Sequence, residues 1–268
     1  MTSRAIIFIG AAILIALVCM AALAPAIAPY NPTEQNLEND LIASSRDHPL
    51  GTDKLGRDVL SRIIYGSRIS LMVGTTTVTI SLLIGLVVGS VSGYFGGWVD
   101  QSLMRLVDVL LAFPGILLAI AFTAVLGPGL DHVVLALSLI GWTGYARLVR
   151  GEILTLREQE FVHAALALGA SPVRVIALHM LPNVLPSLLI QATFGMAAAI
   201  IAEGSLSFLG LGAEPPSPSW GSMLNEGRQF ILVAPHLTAF PGLAIMATVL
   251  ALNLVGDGLR DRLEKRGK

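Results

Sequence analysis

The residues of this sequence that could do chemistry are few and are not arranged for catalysis. Gly51 and Gly56, followed by Arg57 and Asp58, stand at the spacing of a phosphate-binding loop, but that loop's lysine and hydroxyl residue are missing and no strand precedes them. Cys19 is the single cysteine and lies in an apolar span, which excludes a disulfide framework and a cysteine-based metal site. The five histidines, which show no metal-ligand spacing, are His48, His132, His163, His179 and His236. We therefore predict no catalytic residue, no metal site and no cofactor bound directly by this chain.

Composition places the chain in a membrane. Of its 268 residues, 54% are hydrophobic and 13% are charged, and the mean hydropathy is +0.75. Soluble domains are far more polar, so we predict an integral membrane protein in contact with a lipid bilayer. The net charge of −1 predicts no nucleic-acid partner.

Apolar runs predict an all-α protein with six transmembrane helices. The first run resembles a secretory signal, but Pro25 and Pro29 directly follow its two candidate cleavage sites, so we interpret it as an uncleaved anchor. The predicted spans are approximately Ile6–Leu23, Ile69–Val91, Leu103–Leu126, Val133–Val149, Leu185–Glu203 and Leu237–Val255.

Several residues predict how these spans are built. Gly85, Gly89 and Gly93 form a row of small residues that favours close packing against another helix. Arg105 and Asp108 stand three residues apart on one helical face, where we expect an ion pair. Phe113-Pro114-Gly115 predicts a kink in the third span, and Pro241-Gly242 predicts a break in the sixth.

Two segments between spans also carry a pattern. Val59, Leu60, Ile63 and Ile64 favour an amphipathic helix lying on the membrane surface. The segment Gly204–Gly221 is rich in proline and glycine and predicts an ordered loop.

The stretch Glu158–Pro186 predicts a helix-turn-helix outside the membrane. Phe161, Ala164, Ala165 and Leu168 recur at helical spacing and share one face. Gly169 follows at the position where a left-handed residue ends a helix. Ser171 and Pro172 then fit the N-cap and first position of a second helix, which Pro182 and Pro186 are expected to end.

This stretch resembles the cytoplasmic signature loop of ABC importer permeases, in which E-A-A is followed by a glycine and then by I-x-L-P. The matching positions are His163, Ala164, Ala165, Gly169, His179, Leu181 and Pro182, so histidine replaces both the glutamate and the isoleucine. The resemblance implies a coupling loop, at about residues 150–184, that docks on an ATPase subunit. His163 has two interpretations: a solvent-facing position that accepts many polar residues, or a contact to an acidic group on that subunit.

Three further strings narrow the resemblance to the dipeptide, oligopeptide and nickel permeases: residues 48–71, 105–121 and 204–221. It implies the type I ABC importer fold, with an anchor and extracytoplasmic segment (1–66), a permease domain (67–256) and a basic tail (257–268). The implied partners are a second homologous permease, two cytoplasmic ATPase subunits that use ATP, and an extracytoplasmic solute-binding protein. The implied solutes are di- and oligopeptides, with nickel chelates, glutathione or another small solute as alternatives.

The sequence disfavours two other classes of function. A proton-coupled carrier is disfavoured because the predicted spans hold almost no ionisable residue. A non-transporting subunit of an enzyme complex is disfavoured because it would not account for the amphipathic helix-turn-helix at Glu158–Pro186. Basic residues favour cytoplasmic termini and a cytoplasmic loop in a cell inner membrane. The residues that carry this bias are Arg4, Arg147, Arg150, Arg157, Arg174, Arg260, Arg262, Lys265, Arg266 and Lys268.

Overall fold

A computed structural model describes residues 3–264, and this part of the chain is helical. A β-bridge between Thr52 and Asp58 is isolated, and the described residues form no β-strand. Ten helices carry the fold: α1 (Ser3–Ala22), α2 (Ala24–Ile27), α3 (Val59–Phe95), α4 (Gly97–Leu111), α5 (Gly115–Leu126), α6 (Leu130–Arg157), α7 (Glu160–Ala167), α8 (Pro172–Phe208), α9 (Trp220–Gly227) and α10 (His236–Glu264).

The all-α membrane fold predicted from the sequence is confirmed. Helices α3, α6, α8 and α10 are each long and apolar enough to cross a bilayer, and the bent pair of α4 and α5 makes a fifth if the two helices are counted as one span. The apolar part of α1, Ile6–Ala22, is shorter. It runs antiparallel to α10, since Ile7 lies against Gly258 and Gly10 against Ala251.

Helices α3 and α6 are in backbone contact along three turns. A Cβ added to Gly89 would lie 2.5 Å from the Ala146 carbonyl oxygen and 2.7 Å from Val149 Cβ. One turn further on, a Cβ at Gly93 would lie 2.9 Å from Ile153 Cβ, and Gly85 meets α6 in the same way one turn earlier. Only glycine allows helices to approach this closely, so this row fixes the distance between α3 and α6.

The third span is two helices rather than one kinked helix. Helices α4 and α5 meet at an angle of 82° across Ala112-Phe113-Pro114. The prediction that Asp108 pairs with Arg105 is wrong. Asp108 Oδ1 instead accepts a hydrogen bond from Arg147 Nη2 of α6 at 2.5 Å, a contact across helices that local spacing does not reveal.

The predicted surface helix is the first part of α3. Asp58 caps α3 by accepting a hydrogen bond from the Ser61 amide at 2.7 Å, and the helix then continues without a break to Phe95. Val59 and Ile63 are buried against Trp220, whose Nε1 donates to the Ile63 carbonyl oxygen at 3.0 Å. The domain boundary expected between residues 66 and 67 therefore falls inside a continuous helix.

A buried charge cluster joins the segment before α3 to α9. Arg57 is 2% exposed and donates to Asp53 at 2.6 Å and to Glu226 at 2.5 Å. Arg62, which is 1% exposed, pairs with the same two carboxylates at 3.1 and 3.2 Å. Because Nε and Nη2 of Arg57 are held by carboxylates, the segment with the phosphate-loop-like spacing has a structural use.

Prolines interrupt fewer helices than the sequence predicts. Pro182 and Pro186 lie inside α8, directly after a π-helical segment Val175–Met180, and do not end it. Such a segment changes the register of the backbone hydrogen bonds, which accommodates a residue that lacks an amide proton. Pro241 lies near the start of α10, which also continues unbroken.

The remaining boundaries differ from the prediction in smaller ways. The segment predicted as a loop from Gly204 contains the last turn of α8, and α9 begins at its far end at Trp220. Three basic tail residues, Lys265, Arg266 and Lys268, lie outside the described residues.

We predict that Gly89→Val destabilises the folded protein by about 3 kcal/mol, at the upper end of the cost of overpacking, because the new side chain meets backbone atoms that cannot move aside. The measurement is the thermal unfolding midpoint in detergent. Thr79→Val, on an exposed position of the same helix, is the control and should leave the midpoint unchanged. Equal midpoints for the Gly89 variant and the wild type would contradict the close approach of α3 and α6.

Candidate functional site

The segment between α6 and α8 is the candidate site, and it begins with the short helix α7. Its eight residues run from Glu160 to Ala167. Val162 and Ala165 point inward and are buried, whereas Phe161 and Ala164 are exposed. The helix thus has a buried side that is apolar and an exposed side that carries both apolar and polar residues.

A left-handed glycine ends α7. Gly169 has φ +83°, the Ala170 amide donates to the Ala165 carbonyl at 3.1 Å, and the Gly169 amide donates to the Leu166 carbonyl at 2.9 Å. This pair of bonds is the Schellman arrangement, which satisfies the last carbonyls of a helix and reverses the chain. No atom lies within 4 Å of a Cβ built at Gly169, so backbone conformation alone requires glycine there.

The next helix starts two residues later. Ser171 Oγ accepts a hydrogen bond from the Arg174 amide at 3.4 Å, and Pro172 occupies the first position. Helix α8 then runs from the loop into the membrane as one body, through the π-helical segment that contains His179. Within that segment, the His179 carbonyl accepts a hydrogen bond from Asn183 Nδ2 at 2.7 Å.

The outer side of the loop is an exposed apolar surface, which we call the outer face: Phe161, Ala164, Leu168 and Val173. Leu168 is 89% exposed and Val173 is 75% exposed. The polar residues Glu160 and His163 are exposed on the same loop. Large apolar side chains exposed within a polar surround are typical of a protein interface.

The inner side of the loop packs on the membrane helices. Val162, Ala165, Val175 and Met180 belong to the same buried cluster as residues of α6 and α8 such as Ile153. Burial of a side chain of this size contributes about 1.5–3 kcal/mol. The loop is therefore joined to α6 and α8 by a shared buried cluster.

Polar contacts fix the base of the loop to the helices around it. Arg150 of α6 forms a two-bond ion pair with Asp100 of α4, with distances of 2.5 and 2.6 Å, and Ser92 of α3 also donates to that carboxylate. This pair was not found from the sequence because its members are fifty residues apart. Arg157 Nη1 donates to the Tyr94 carbonyl at 3.2 Å.

A second contact missed by the sequence connects α6 to α8. Ser187 Oγ donates to Glu152 Oε1 at 2.9 Å. Both residues lie close to the loop along their helices, so the two helices that carry the loop are also joined to each other.

The structure brings some of the predicted site residues together and separates others. Phe161, His163 and Ala164 lie on the exposed side of α7, and Ser171 and Pro172 are exposed just after the turn. Ala165 is buried beneath them. Gly169 forms the turn. The three remaining positions, His179, Leu181 and Pro182, lie further along α8 and outside the outer face.

The site has the properties of a docking surface rather than of a reaction centre. In the described part of the chain, no group of three or more His, Cys, Asp or Glu side chains is placed to hold a metal ion. The groups on the outer face are apolar or small, and such groups contribute contact area and shape to an interface.

Comparison with known proteins gives the family. Residues 85–268 match the family model described as the binding-protein-dependent transport system inner membrane component. Residues 6–45 match the N-terminal TM domain of oligopeptide transport permease C.

Two relatives cover nearly the whole chain. The dipeptide transport system permease protein DppC of Alkalihalophilus pseudofirmus is 44% identical over 260 residues, covering 97% of this chain and 86% of the relative. The glutathione transport system permease protein GsiD of Escherichia coli is 46% identical over 263 residues, with the same coverage.

A solved structure has the same fold. A chain from the inward-facing MetNI methionine ABC transporter superposes with a TM-score of 0.61 at 19% identity and covers 78% of this chain and 97% of its own length. Together with the family match, the predicted type I importer fold is confirmed. The chain belongs to the family of binding-protein-dependent transport system inner membrane components, as a permease of the peptide and oligopeptide type of ABC importer.

Proposed function

We propose that the chain forms half of the translocation path of an ATP-driven importer of di- and oligopeptides, and that the loop around α7 is the point where an ATPase subunit docks. The observation that carries the proposal is the outer face of Phe161, Ala164, Leu168 and Val173. It is apolar and exposed, and its inner side is fixed to α6 and α8.

The family supports the partners that we propose. The energy for uptake comes from two cytoplasmic ATPase subunits that bind and hydrolyse ATP. A second, homologous permease completes the path, and an extracytoplasmic solute-binding protein delivers the solute. The family description, which names binding-protein-dependent transport, supports this assembly.

Short peptides are the solute class we propose. The two relatives are named for a dipeptide and for glutathione, which is itself a short peptide with a modified linkage. Both resemble this chain to a similar degree, which supports a peptide backbone as the common recognition element and leaves the side-chain preference to the solute-binding protein.

The mechanism we propose is alternating access. When ATP closes the ATPase pair, the two docking loops are drawn together, and the motion passes along α6 and α8 to open the path outward. The ion pair between Arg150 and Asp100 and the contact between Ser187 and Glu152 keep the loop from moving independently of the span helices.

We predict that Gly169→Val stops uptake while the protein still inserts and pairs. A β-branched residue at φ +83° costs on the order of 1–2 kcal/mol, which favours a different turn and misdirects the outer face. Membrane level, co-purification of ATPase subunits and peptide uptake are measured in the same strain.

Two control variants test whether a loss of uptake comes from the left-handed turn at Gly169 or from any substitution in the loop. Gly169→Asn should retain most uptake because asparagine tolerates the left-handed region, and Ala167→Val should retain uptake because this exposed residue is helical. Wild-type uptake by Gly169→Val would exclude this loop as the coupling element.

We also predict that the loop and both termini are cytoplasmic. In a chain carrying Cys19→Ala, cysteines at the exposed positions Ser44 and Ser217 should react with an impermeant thiol reagent added to intact cells. A cysteine at Ser171 should react only after the membrane is permeabilised. The reverse pattern would contradict this orientation.

A further inference from the structure

An apolar groove of about 330 Å³ lies between α8 and α10, at the end of these helices that is nearer to the loop around α7. It is separate from the outer face, because on α8 it begins at Pro182, after the π-helical segment. Its walls are formed by Pro182, Leu185, Pro186 and Leu189 of α8 and by Leu259 and Leu263 of α10.

The groove forms where α8 and α10 leave space between them on the loop side of a close contact. A Cβ built on Gly256 of α10 would lie 2.9 Å from a ring carbon of Phe194 of α8, so the two helices touch at that level. Toward the loop, the groove follows residues 182–190 of α8, a length of about 12 Å at the helical rise per residue. The hydrocarbon part of one leaflet is about 15 Å thick. The groove therefore has the length of the acyl region of a single leaflet.

The loop end of the groove is positively charged. Among the described residues, Arg262 is the one charged residue that lines the groove, and it is exposed near the end of α10. Arg262 forms no ion pair with any side chain that the structure describes. Asp257 and Asp261 are exposed on the same helix but do not line the groove. The groove is thus apolar along its length and cationic at its edge.

The sequence adds positive charge directly after this helix. Lys265, Arg266 and Lys268 follow Arg262, and Glu264 is the one acidic residue between them. Basic residues that follow a membrane helix are attracted to anionic lipid headgroups, and basic pockets between such helices bind these headgroups.

The side chains in the groove favour lipid over another membrane helix as its occupant. Contacts between membrane helices are rich in small residues, as at Gly85, Gly89 and Gly93, where α3 meets α6. The described residues that line this groove include no glycine, alanine or serine. Leu185 and Leu189 are exposed, so the groove presents bulky apolar side chains at membrane depth.

We propose that the groove binds an anionic phospholipid from the leaflet on the loop side, with an acyl chain between α8 and α10 and the phosphate at Arg262. A phospholipid has the same order of polarity as the groove, since its chains are apolar and its phosphate is charged. An arginine side chain suits the headgroup because its planar guanidinium forms paired hydrogen bonds with phosphate oxygens. The proposal goes beyond the proposed function and does not depend on which solute is transported.

The first test measures lipid binding to the complete transporter, purified with its partner subunits in detergent. Dioleoyl phosphatidylglycerol, which is anionic, or dioleoyl phosphatidylcholine, which is zwitterionic, is titrated, and bound lipids are counted by native mass spectrometry. Arg262→Gln should weaken the binding of one phosphatidylglycerol per copy of this chain about 5-fold, the effect of one basic residue at a membrane surface, and should leave phosphatidylcholine binding unchanged.

Arg260→Gln is the matched control, because it removes the same charge from the same helix at a residue that does not line the groove. It should retain the wild-type affinity for phosphatidylglycerol. Equal weakening by the two variants would show a general attraction to charge rather than a site. That result, or wild-type affinity in Arg262→Gln, would overturn the proposal.

The second test fills the groove. Leu185→Trp places a larger side chain in its wall, and Leu250→Trp makes the same change at an exposed position of α10 outside it. Leu185→Trp should lose the bound phosphatidylglycerol while keeping its membrane level and its partner subunits, and Leu250→Trp should keep all three. Lipid retained by Leu185→Trp would overturn the proposal. Loss of a partner subunit from Leu185→Trp alone would show that a protein covers the groove, which would also overturn it.

Discussion

The contact between the backbones of α3 and α6 is the constraint on which the rest of the molecule depends. Gly85, Gly89 and Gly93 let the two helices approach until carbonyl oxygens and Cβ atoms of α6 occupy the space where side chains of α3 would be. In a membrane, where lipid tails are as apolar as leucine, close approach and polar contacts replace the hydrophobic effect as the force that holds helices together. Helices α3 and α6 therefore form a rigid unit.

One end of that unit carries the loop. Helix α6 ends at the loop, and its Arg150 is held by Asp100. Helix α8 leaves the loop at Pro172 and continues to Phe208. The proposed coupling is a consequence of this geometry, because a force applied to the outer face is carried into the membrane spans by two continuous helices.

Features of the fold that depend on neighbouring residues could be predicted from the sequence. The left-handed turn at Gly169 and the helix start at Ser171 and Pro172 follow from backbone preferences within a few residues. Pro114 likewise indicated an interruption, although not a bend of 82°.

Features that depend on distant partners could not be predicted. Arg105 stands at helical spacing from Asp108, yet Arg147 of another helix takes the carboxylate. Val59 and Ile63 have the pattern of a surface helix because the sequence does not show Trp220 covering them.

The central claim is that the outer face of the loop is covered by an ATPase subunit, and the most direct measurement is the reactivity of Leu168→Cys in a chain that carries Cys19→Ala. Inside-out membrane vesicles are treated with an impermeant thiol reagent, with and without the co-expressed ATPase subunits. Leu168 is 89% exposed in this chain alone, so the account predicts rapid labelling without the ATPase subunits and strong protection with them. Equal labelling rates in the two preparations would contradict it.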